Sequence, residues 1–229
     1  MDIAKPLPFK SVVRFDHVVS LGRSCQAAYH VRRYTGVHHT LPFDWVGTPD
    51  PGLRLAIRTG LDGWFDAAQF KPDPTGGYRH QVTGMRFLHA FEKHLTFAEG
   101  HAAKSARMAQ LLLRWFDLIS SGQNVLFIRE HGDEADPQVS ARLLVETLLE
   151  SVSVGFELLY LVPADRFDAS WRMDGVKFVP HRKFGPDHEW FGYIDDWDGY
   201  FAALGVAKGE ARNPLAETQR SAAAQADRD

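Results

Sequence analysis

The amino-acid sequence predicts an α/β protein, a three-layer sandwich in which a mainly parallel central sheet is flanked by helices. Residues 125–128 and 158–162 form continuous apolar runs, as strands buried on both faces of a sheet do. Segments with the apolar spacing of amphipathic helices alternate with these runs. Buried strands that alternate with helices are typical of a parallel or mixed sheet that is covered on both sides.

Local patterns place most helices and strands along the chain. Residues 70–77 are rich in proline and glycine and are predicted to form a loop. Gly36 is predicted to end the first helix, and Pro42 favours a loop for Pro-Phe-Asp-Trp at residues 42–45. The predicted elements, in chain order, are a strand at 15–21, a helix at 24–34, a helix capped by Thr48 or Asp50 with Pro51 in its first turn, a hairpin of 78–83 and 85–91, a helix at 102–119, a strand at 125–128, a helix at 136–151, strands at 158–162 and 176–179, and a helix at 195–204.

Length and composition predict one domain at residues 15–207, preceded by an arm at 1–14 and followed by a polar tail at 208–229. The net charge of -3 provides no overall field that would favour nucleic acid or an acidic membrane. We find no signal-peptide pattern and no apolar run long enough to span a membrane, so a cytoplasmic protein is expected. The single cysteine excludes an internal disulfide and suits a reducing compartment.

That cysteine, Cys25, follows a short apolar run and a glycine, Gly22. A strand that turns at a glycine into a helix, with a nucleophile at the turn, is a recurring catalytic geometry. Ser24 is predicted to cap the helix and to put Cys25 at its first position, where the helix dipole favours a thiolate. The backbone N–H groups of residues 23–26 could then hold an oxyanion. The alternative is that Cys25 is a small buried apolar residue, as lone cysteines usually are.

A catalytic cysteine needs a base and a group that orients the base. His89 follows an apolar pair at a predicted strand end and is the candidate base, although it could equally be a buried structural histidine. Asp44, between two aromatic residues, is the candidate orienting acid, with His89, Arg129 or backbone N–H groups as partners. It could equally cap the next helix or hold its loop.

Several residues are candidates for substrate binding. Arg129 and His131 follow a buried strand, where an arginine is well suited to binding a carboxylate or phosphate. A structural salt bridge of Arg129 to Glu130, Asp133 or Asp44 is the alternative. The remaining candidates surround the cysteine or lie in the 42–45 loop: Gly22, Arg23, Ser24 and Trp45.

Motifs for metals, cofactors and nucleic acid are missing from the sequence. His38 and His39 are adjacent, and on an extended segment they would point to opposite sides. The chain has no HExxH, GxxxxGK[ST] or GxGxxG motif and no basic face interleaved with aromatic residues. We therefore expect no metal, no cofactor and no nucleic acid, and a small molecule, a glycan or a peptide as substrate. No sequence feature indicates an oligomeric state.

Five segments together, SLGRSC, AAYHVRRYTGV, LPFDWV, FLHAF and VLFIRE, resemble a bacterial family of unknown function that is described as papain-like cysteine peptidases. The resemblance covers roughly residues 15–205 and implies Cys25 as nucleophile, His89 as base and Asp44 as orienting acid. Two departures stand out: His-Ala-Phe replaces His-Asp-Phe at residues 89–91, and Met108 and Leu111 replace basic residues. Papain-like enzymes have a separate antiparallel sheet, whereas the buried strands here favour a three-layer fold like that of esterase-like hydrolases.

Two functions from different classes follow. The first is a cysteine-dependent hydrolase or acyltransferase that acts on an acyl or peptide carbonyl. The second is a non-catalytic or accessory module that binds an anionic small molecule, such as a nucleotide-sugar or a phosphorylated glycan, at the carboxyl edge of the sheet. In the second case Cys25 is only a small residue that lets the ligand approach. A purely structural role is a third possibility that nothing in the sequence favours.

Overall fold

The computed structural model describes residues 14–92, 94–132, 135–185 and 188–209, so nearly all of the predicted arm and tail lies outside the described residues. The helices and strands are β1 (His17–Ser20), α1 (Gln26–Thr35), α2 (Asp50–Arg58), β2 (Phe70–Pro72), β3 (Tyr78–His80), β4 (Arg86–Phe87), α3 (Phe97–Ser120), β5 (Asn124–Glu130), α4 (Pro137–Ser151), β6 (Gly155–Pro163), β7 (Val176–His181) and α5 (Ile194–Ala203).

The central sheet has four parallel strands in the order β1-β5-β6-β7. Each neighbouring pair runs in the same direction, so the carboxyl ends of all four strands lie at one edge. Helices cover both faces of this sheet, and the predicted three-layer α/β sandwich is confirmed.

Successive side chains of a central strand point alternately to the two faces of the sheet, so the core forms two clusters, one on each face. Val125 and Phe127 of β5 belong to the larger cluster, which α2, α3 and α4 cover. Leu126 and Ile128 belong to the smaller cluster, which α1 and α5 cover. Because successive side chains of a strand point to opposite faces, an uninterrupted apolar strand supplies both clusters.

A second, antiparallel sheet of three short strands, in the order β2-β3-β4, precedes α3. The predicted hairpin corresponds to β3 and β4, although both strands are shorter than expected. The predicted loop at residues 70–77 was partly wrong, because its first three residues form β2. Pro72 is tolerated there because β2 lies at the edge of its sheet.

Capping residues explain where two helices begin. Asp136 accepts hydrogen bonds from the N–H groups of Gln138 and Val139, as predicted for the helix that follows. The helix expected at 102–119 begins earlier, at Phe97, because Thr96 and Glu99 form a capping box. This Thr-x-x-Glu signal is visible in the sequence and was not used in the prediction.

Strand β5 is longer than predicted and runs to Glu130. Arg129 and Glu130 are therefore strand residues whose side chains point to opposite faces, instead of following the strand in a loop. Within the described ranges, no helix is long and apolar enough to cross a membrane.

Candidate active site

A sharp turn joins β1 to α1 and positions Cys25. Gly22 and Arg23 both have left-handed backbone conformations, with φ of 77° and 83°. A Cβ atom on Gly22 would lie 2.7 Å from Thr48 Oγ1 and 2.9 Å from the Phe43 carbonyl oxygen. Gly22 is therefore required for a close backbone approach, and it does not line the cavity beside Cys25. The expectation that Gly22 contacts a substrate is replaced by this role in the turn.

Helix α1 begins one residue later than predicted. Cys25 is the N-cap and Gln26 is the first helical residue. Ser24 Oγ still accepts a hydrogen bond from Gln26 N at 3.1 Å, so Ser24 satisfies one free N–H group of the helix start. Gly36 ends the helix with φ of 70°, as predicted.

Arg129 is fully buried and stabilises the turn between β1 and α1. Its guanidinium is paired with Asp50 and donates to the Leu21 carbonyl at 3.1 Å and to the Thr48 carbonyl at 2.6 Å. Thr48 Oγ1 in turn accepts from Arg23 N at 2.8 Å. With no exposed surface, Arg129 cannot touch a substrate, so the predicted binding role is wrong. A structural salt bridge was the alternative, and Arg129 forms one, but its partner is Asp50, which was not among the expected partners.

Glu130 is the last residue of β5, and its side chain points to the face opposite to that of Arg129, beside the start of α1. Its carboxylate accepts from Ser24 Oγ at 2.5 Å and from the Ala27 backbone N–H. The positive end of the helix dipole is thus already occupied by a carboxylate of the protein itself. Burial raises the pKa of Glu130.

This carboxylate changes the expected chemistry of the thiol. The pKa of Cys25 is raised to about 11, mainly by burial and also by the negative charges of Glu130 and Asp44. The expectation that the helix start favours a thiolate was therefore wrong, because the dipole is offset by Glu130 and the sulfur is largely desolvated. Cys25 is a neutral thiol at physiological pH.

Cys25 opens into a cavity of about 470 Å³, called here the Cys25 cleft. Its lining residues are Arg23, Ser24, Cys25, Gln26, Trp45, Gly47, Arg86, Leu88, His89, Lys183, Phe184 and Trp190. The structure thus places His89 in the same cleft as the thiol, where its side chain is exposed. Among the described residues, no hydrogen bond joins Cys25 to His89.

Asp44 is buried and holds the 42–45 loop against α1. It accepts from Arg32 Nη2 at 3.3 Å and from Leu41 N at 3.1 Å, and burial raises its pKa to about 6 despite the Arg32 charge. The guanidinium of Arg32 also lies 5.1 Å from the centre of the Trp45 ring. Asp44 therefore has the alternative role of holding its loop. Among the described residues, no hydrogen bond joins it to His89, the base that it was predicted to orient.

His131 lies in a second cavity, of about 320 Å³, at the carboxyl edge of the parallel sheet. Its Nδ1 is 3.0 Å from the Tyr160 hydroxyl. Arg23, Ser24 and Lys183 line both this cavity and the Cys25 cleft, so the two adjoin. His131 itself does not line the cleft beside the thiol.

Side chains of α1 also hold the wall of the Cys25 cleft that Lys183, Phe184 and Trp190 form. Gln26 Nε2 donates to the carbonyls of Lys183 and Trp190, and His30 Nε2 lies 2.6 Å from the Phe191 carbonyl oxygen. His30 Nδ1 accepts from Arg33 Nε at 3.2 Å, so the His30 ring donates through Nε2. The segment that carries Lys183, Phe184 and Trp190 is thus attached to the helix that carries the cysteine.

Sequence reasoning missed the cleft residues contributed by distant segments, namely Arg86, Lys183, Phe184 and Trp190. No local pattern marks them, because they meet Cys25 only through the fold. It also considered Glu130 only as a salt-bridge partner. In the described part of the chain, no three His, Cys, Asp or Glu side chains converge as a metal site would require.

The family model DUF1796, described as "Putative papain-like cysteine peptidase", matches residues 16–159. The chain belongs to this family. The match covers β1, the Cys25 turn, the 42–45 loop, His89 and β5, and it ends within β6. The family description supports a cysteine hydrolase in general terms. No curated protein and no solved structure matches the chain.

Proposed function

We propose that the protein is a cysteine-dependent hydrolase or acyltransferase that acts on an acyl or peptide carbonyl, with Cys25 as nucleophile and His89 as base. The observation that carries this proposal is that a single cleft contains both the cysteine at a helix start and an exposed imidazole. Membership of a family described as cysteine peptidases supports the same class.

The raised pKa of Cys25 indicates how the nucleophile is activated. A thiol with a pKa of about 11 is protonated at neutral pH, so attack requires a base that removes the proton in the same step. The sulfur then bonds to the carbonyl carbon, and the proton passes to the imidazole of His89. The imidazolium gives this proton to the leaving group as the bond to the carbonyl carbon breaks. Water, or another acceptor, cleaves the thioester and restores the thiol.

The turn leaves two backbone donors available for the oxyanion. Arg23 N donates to Thr48 Oγ1 and Gln26 N donates to Ser24 Oγ, so these two N–H groups are already used. The N–H groups of Ser24 and Cys25 have no acceptor among the described residues. They are the donors that this proposal assigns to the oxyanion, a narrower set than the four residues expected from sequence.

The test uses p-nitrophenyl acetate as an activated ester. We expect release of p-nitrophenol and an acetyl adduct on Cys25 that mass spectrometry of the intact native protein detects. Cys25→Ala should abolish both, and His89→Gln should slow acylation by roughly 100-fold. His94→Gln is the matched control, because His94 is an exposed histidine of the same segment that does not line the cleft.

Two results would contradict the proposal. One is full turnover by the Cys25→Ala variant. The other is native protein that gives neither an acetyl adduct nor alkylation of Cys25 up to pH 10, although the denatured protein is alkylated.

A further inference from the structure

The charge of the Cys25 cleft differs from that of the whole chain. The protein has a net charge of -3, yet Arg23, Arg86 and Lys183 all line the cleft. Among the described residues that line it there is no aspartate or glutamate; the two carboxylates that act on Cys25, those of Glu130 and Asp44, are buried and do not line the cleft. A concave site lined by one sign of charge concentrates ligands of the opposite sign.

Arg86 is held in place by a carboxylate that it shares with another arginine. The buried Asp73 contacts Arg79 at 2.7 Å and Arg86 at 3.4 Å, and Arg86 also donates to Thr75 Oγ1. One carboxylate thus faces two guanidinium groups, so the cluster keeps an excess positive charge. These contacts orient Arg86 before any ligand arrives, which lowers the entropic cost of binding.

Lys183 is the second cation of the cleft. Its ammonium lies 5.6 Å from the centre of the Phe184 ring, and no ion pair involves it within the described ranges. Its backbone carbonyl is held by Gln26 Nε2, as described above. The backbone of Lys183 is therefore held by the helix that carries Cys25. Its exposed side chain lines both the Cys25 cleft and the neighbouring cavity, where its charge acts on the Glu130 carboxylate.

The walls of the cleft are apolar as well as cationic. Leu88, Phe184 and Trp190 line it and are 38%, 53% and 42% exposed. Trp45 lies in the same lining under the Arg32 guanidinium. Exposed aromatic residues beside a cavity are typical of sites that bind an apolar or planar group.

We propose that the substrate carries a negatively charged group, a carboxylate or a phosphate, close to the carbonyl that Cys25 attacks, and an apolar or planar portion beside it. Arg86 and Lys183 bind the anion, and Phe184 and Trp190 contact the apolar portion. This inference rests on the proposed function and adds the substrate class. Cationic acyl compounds are disfavoured, because they bring a positive charge against those of the cleft.

Alkylation of Cys25 tests the charge selectivity without requiring turnover. Iodoacetate and iodoacetamide react with the same thiolate, but only iodoacetate is negatively charged. The rate of iodoacetate divided by the rate of iodoacetamide therefore does not depend on the fraction of thiolate. We expect this ratio in the native protein to be about threefold or more above the ratio in the urea-unfolded chain. Added salt should lower the native ratio, because the attraction is electrostatic.

Variants identify the cations responsible. Lys183→Gln and Arg86→Gln should each lower the native ratio, and the double variant should bring it close to the unfolded value. Lys177→Gln is the matched control, because it removes the same charge from an exposed lysine of β7 outside the cleft. It should leave the ratio unchanged.

The outcomes separate the two proposals. The anionic substrate class is overturned, even if Cys25 is acylated, by either of two results. The first is a rate ratio in the native protein equal to that in the unfolded chain. The second is a native ratio that Lys177→Gln lowers as much as Lys183→Gln does. A raised ratio that depends on Lys183, together with no acyl adduct, overturns the hydrolase and leaves the anion selectivity of the cleft intact.

Discussion

At the scale of single residues, burial and the charge of Glu130 together raise the pKa of Cys25. Helix starts usually lower the pKa of a cysteine thiol, because the unpaired N–H groups favour a negative charge. Here Glu130 uses the Ala27 N–H group and the Ser24 hydroxyl that such a thiolate would need. The thiol is therefore less ionised than an ordinary cysteine thiol at the same pH.

Replacing Glu130 by glutamine should lower the pKa of Cys25 below about 11, because a nearby negative charge is removed. Glutamine retains an acceptor for Ser24 Oγ. One unit of pKa changes the thiolate fraction tenfold, so we expect roughly tenfold faster iodoacetamide labelling at pH 8 in the Glu130→Gln variant. The rate, measured from pH 7 to pH 11, gives the apparent pKa of each protein.

Asp165→Asn is the control for this change. Asp165 lines the neighbouring cavity at the sheet edge, but it is not among the charges that raise the pKa of Cys25. Its variant should follow the wild-type profile. An unchanged profile in Glu130→Gln would show that burial alone determines the pKa of the thiol.

At the scale of elements, one buried arginine joins three segments around the turn that carries Cys25. Arg129 of β5 contacts the end of β1 through the Leu21 carbonyl and the start of α2 through Asp50. Thr48 completes the arrangement by bonding to Arg23 N and to the Leu21 carbonyl. The strained Gly22–Arg23 turn is thus held by a hydrogen-bond network that no exposed residue could replace.

Arg129→Met should lower the free energy of unfolding by about 3 kcal/mol, because it removes the buried guanidinium that pairs with the Asp50 carboxylate and donates to the Thr48 carbonyl. Urea unfolding followed by tryptophan fluorescence measures this. The control is Arg58→Met, which breaks the exposed ion pair with Glu150 and should cost no more than about 0.5 kcal/mol. Equal losses in the two variants would contradict the structural role assigned to Arg129.

At the scale of the whole molecule, two buried histidines make stability depend on pH. His30 stacks on Trp197 with ring centres 4.6 Å apart, and His181 packs edge-on against the same ring at 5.8 Å. Burial lowers the pKa of His30 to about 3 and that of His181 to about 4. The unfolded chain therefore binds protons at a higher pH than the folded protein, and acidification below about pH 6.5 favours unfolding.

His30→Gln should remove part of this pH dependence while keeping a donor for the Phe191 carbonyl. Between pH 6.5 and pH 5 we expect the wild type to lose about 1.5 kcal/mol more stability than the variant, because one depressed histidine is removed. The raised pKa of Asp44, about 6, acts with the opposite sign, so the comparison uses the difference between the two proteins. His94→Gln should show the wild-type pH dependence, and a His30→Gln variant that also does so would contradict the assignment.

Much of the fold was determined by the sequence alone. Uninterrupted apolar runs predicted β5 and β6, Asp136 and Gly36 marked helix ends, and the cysteine and histidine motifs indicated the family. These signals are local, because burial, capping and turn conformation depend on residues a few positions apart. They do not depend on how the elements pack.

Only the tertiary structure decided what the charged residues do. Arg129 pairs with Asp50, 79 residues away, while Glu130 of the same strand faces the other way and lies beside Cys25. Lys183 and Arg86 meet at the Cys25 cleft from two separate segments. A charge acts through space on whatever the fold brings near it, so neither the pKa of the thiol nor the proposed anion selectivity of its cleft can be inferred from neighbours in the sequence.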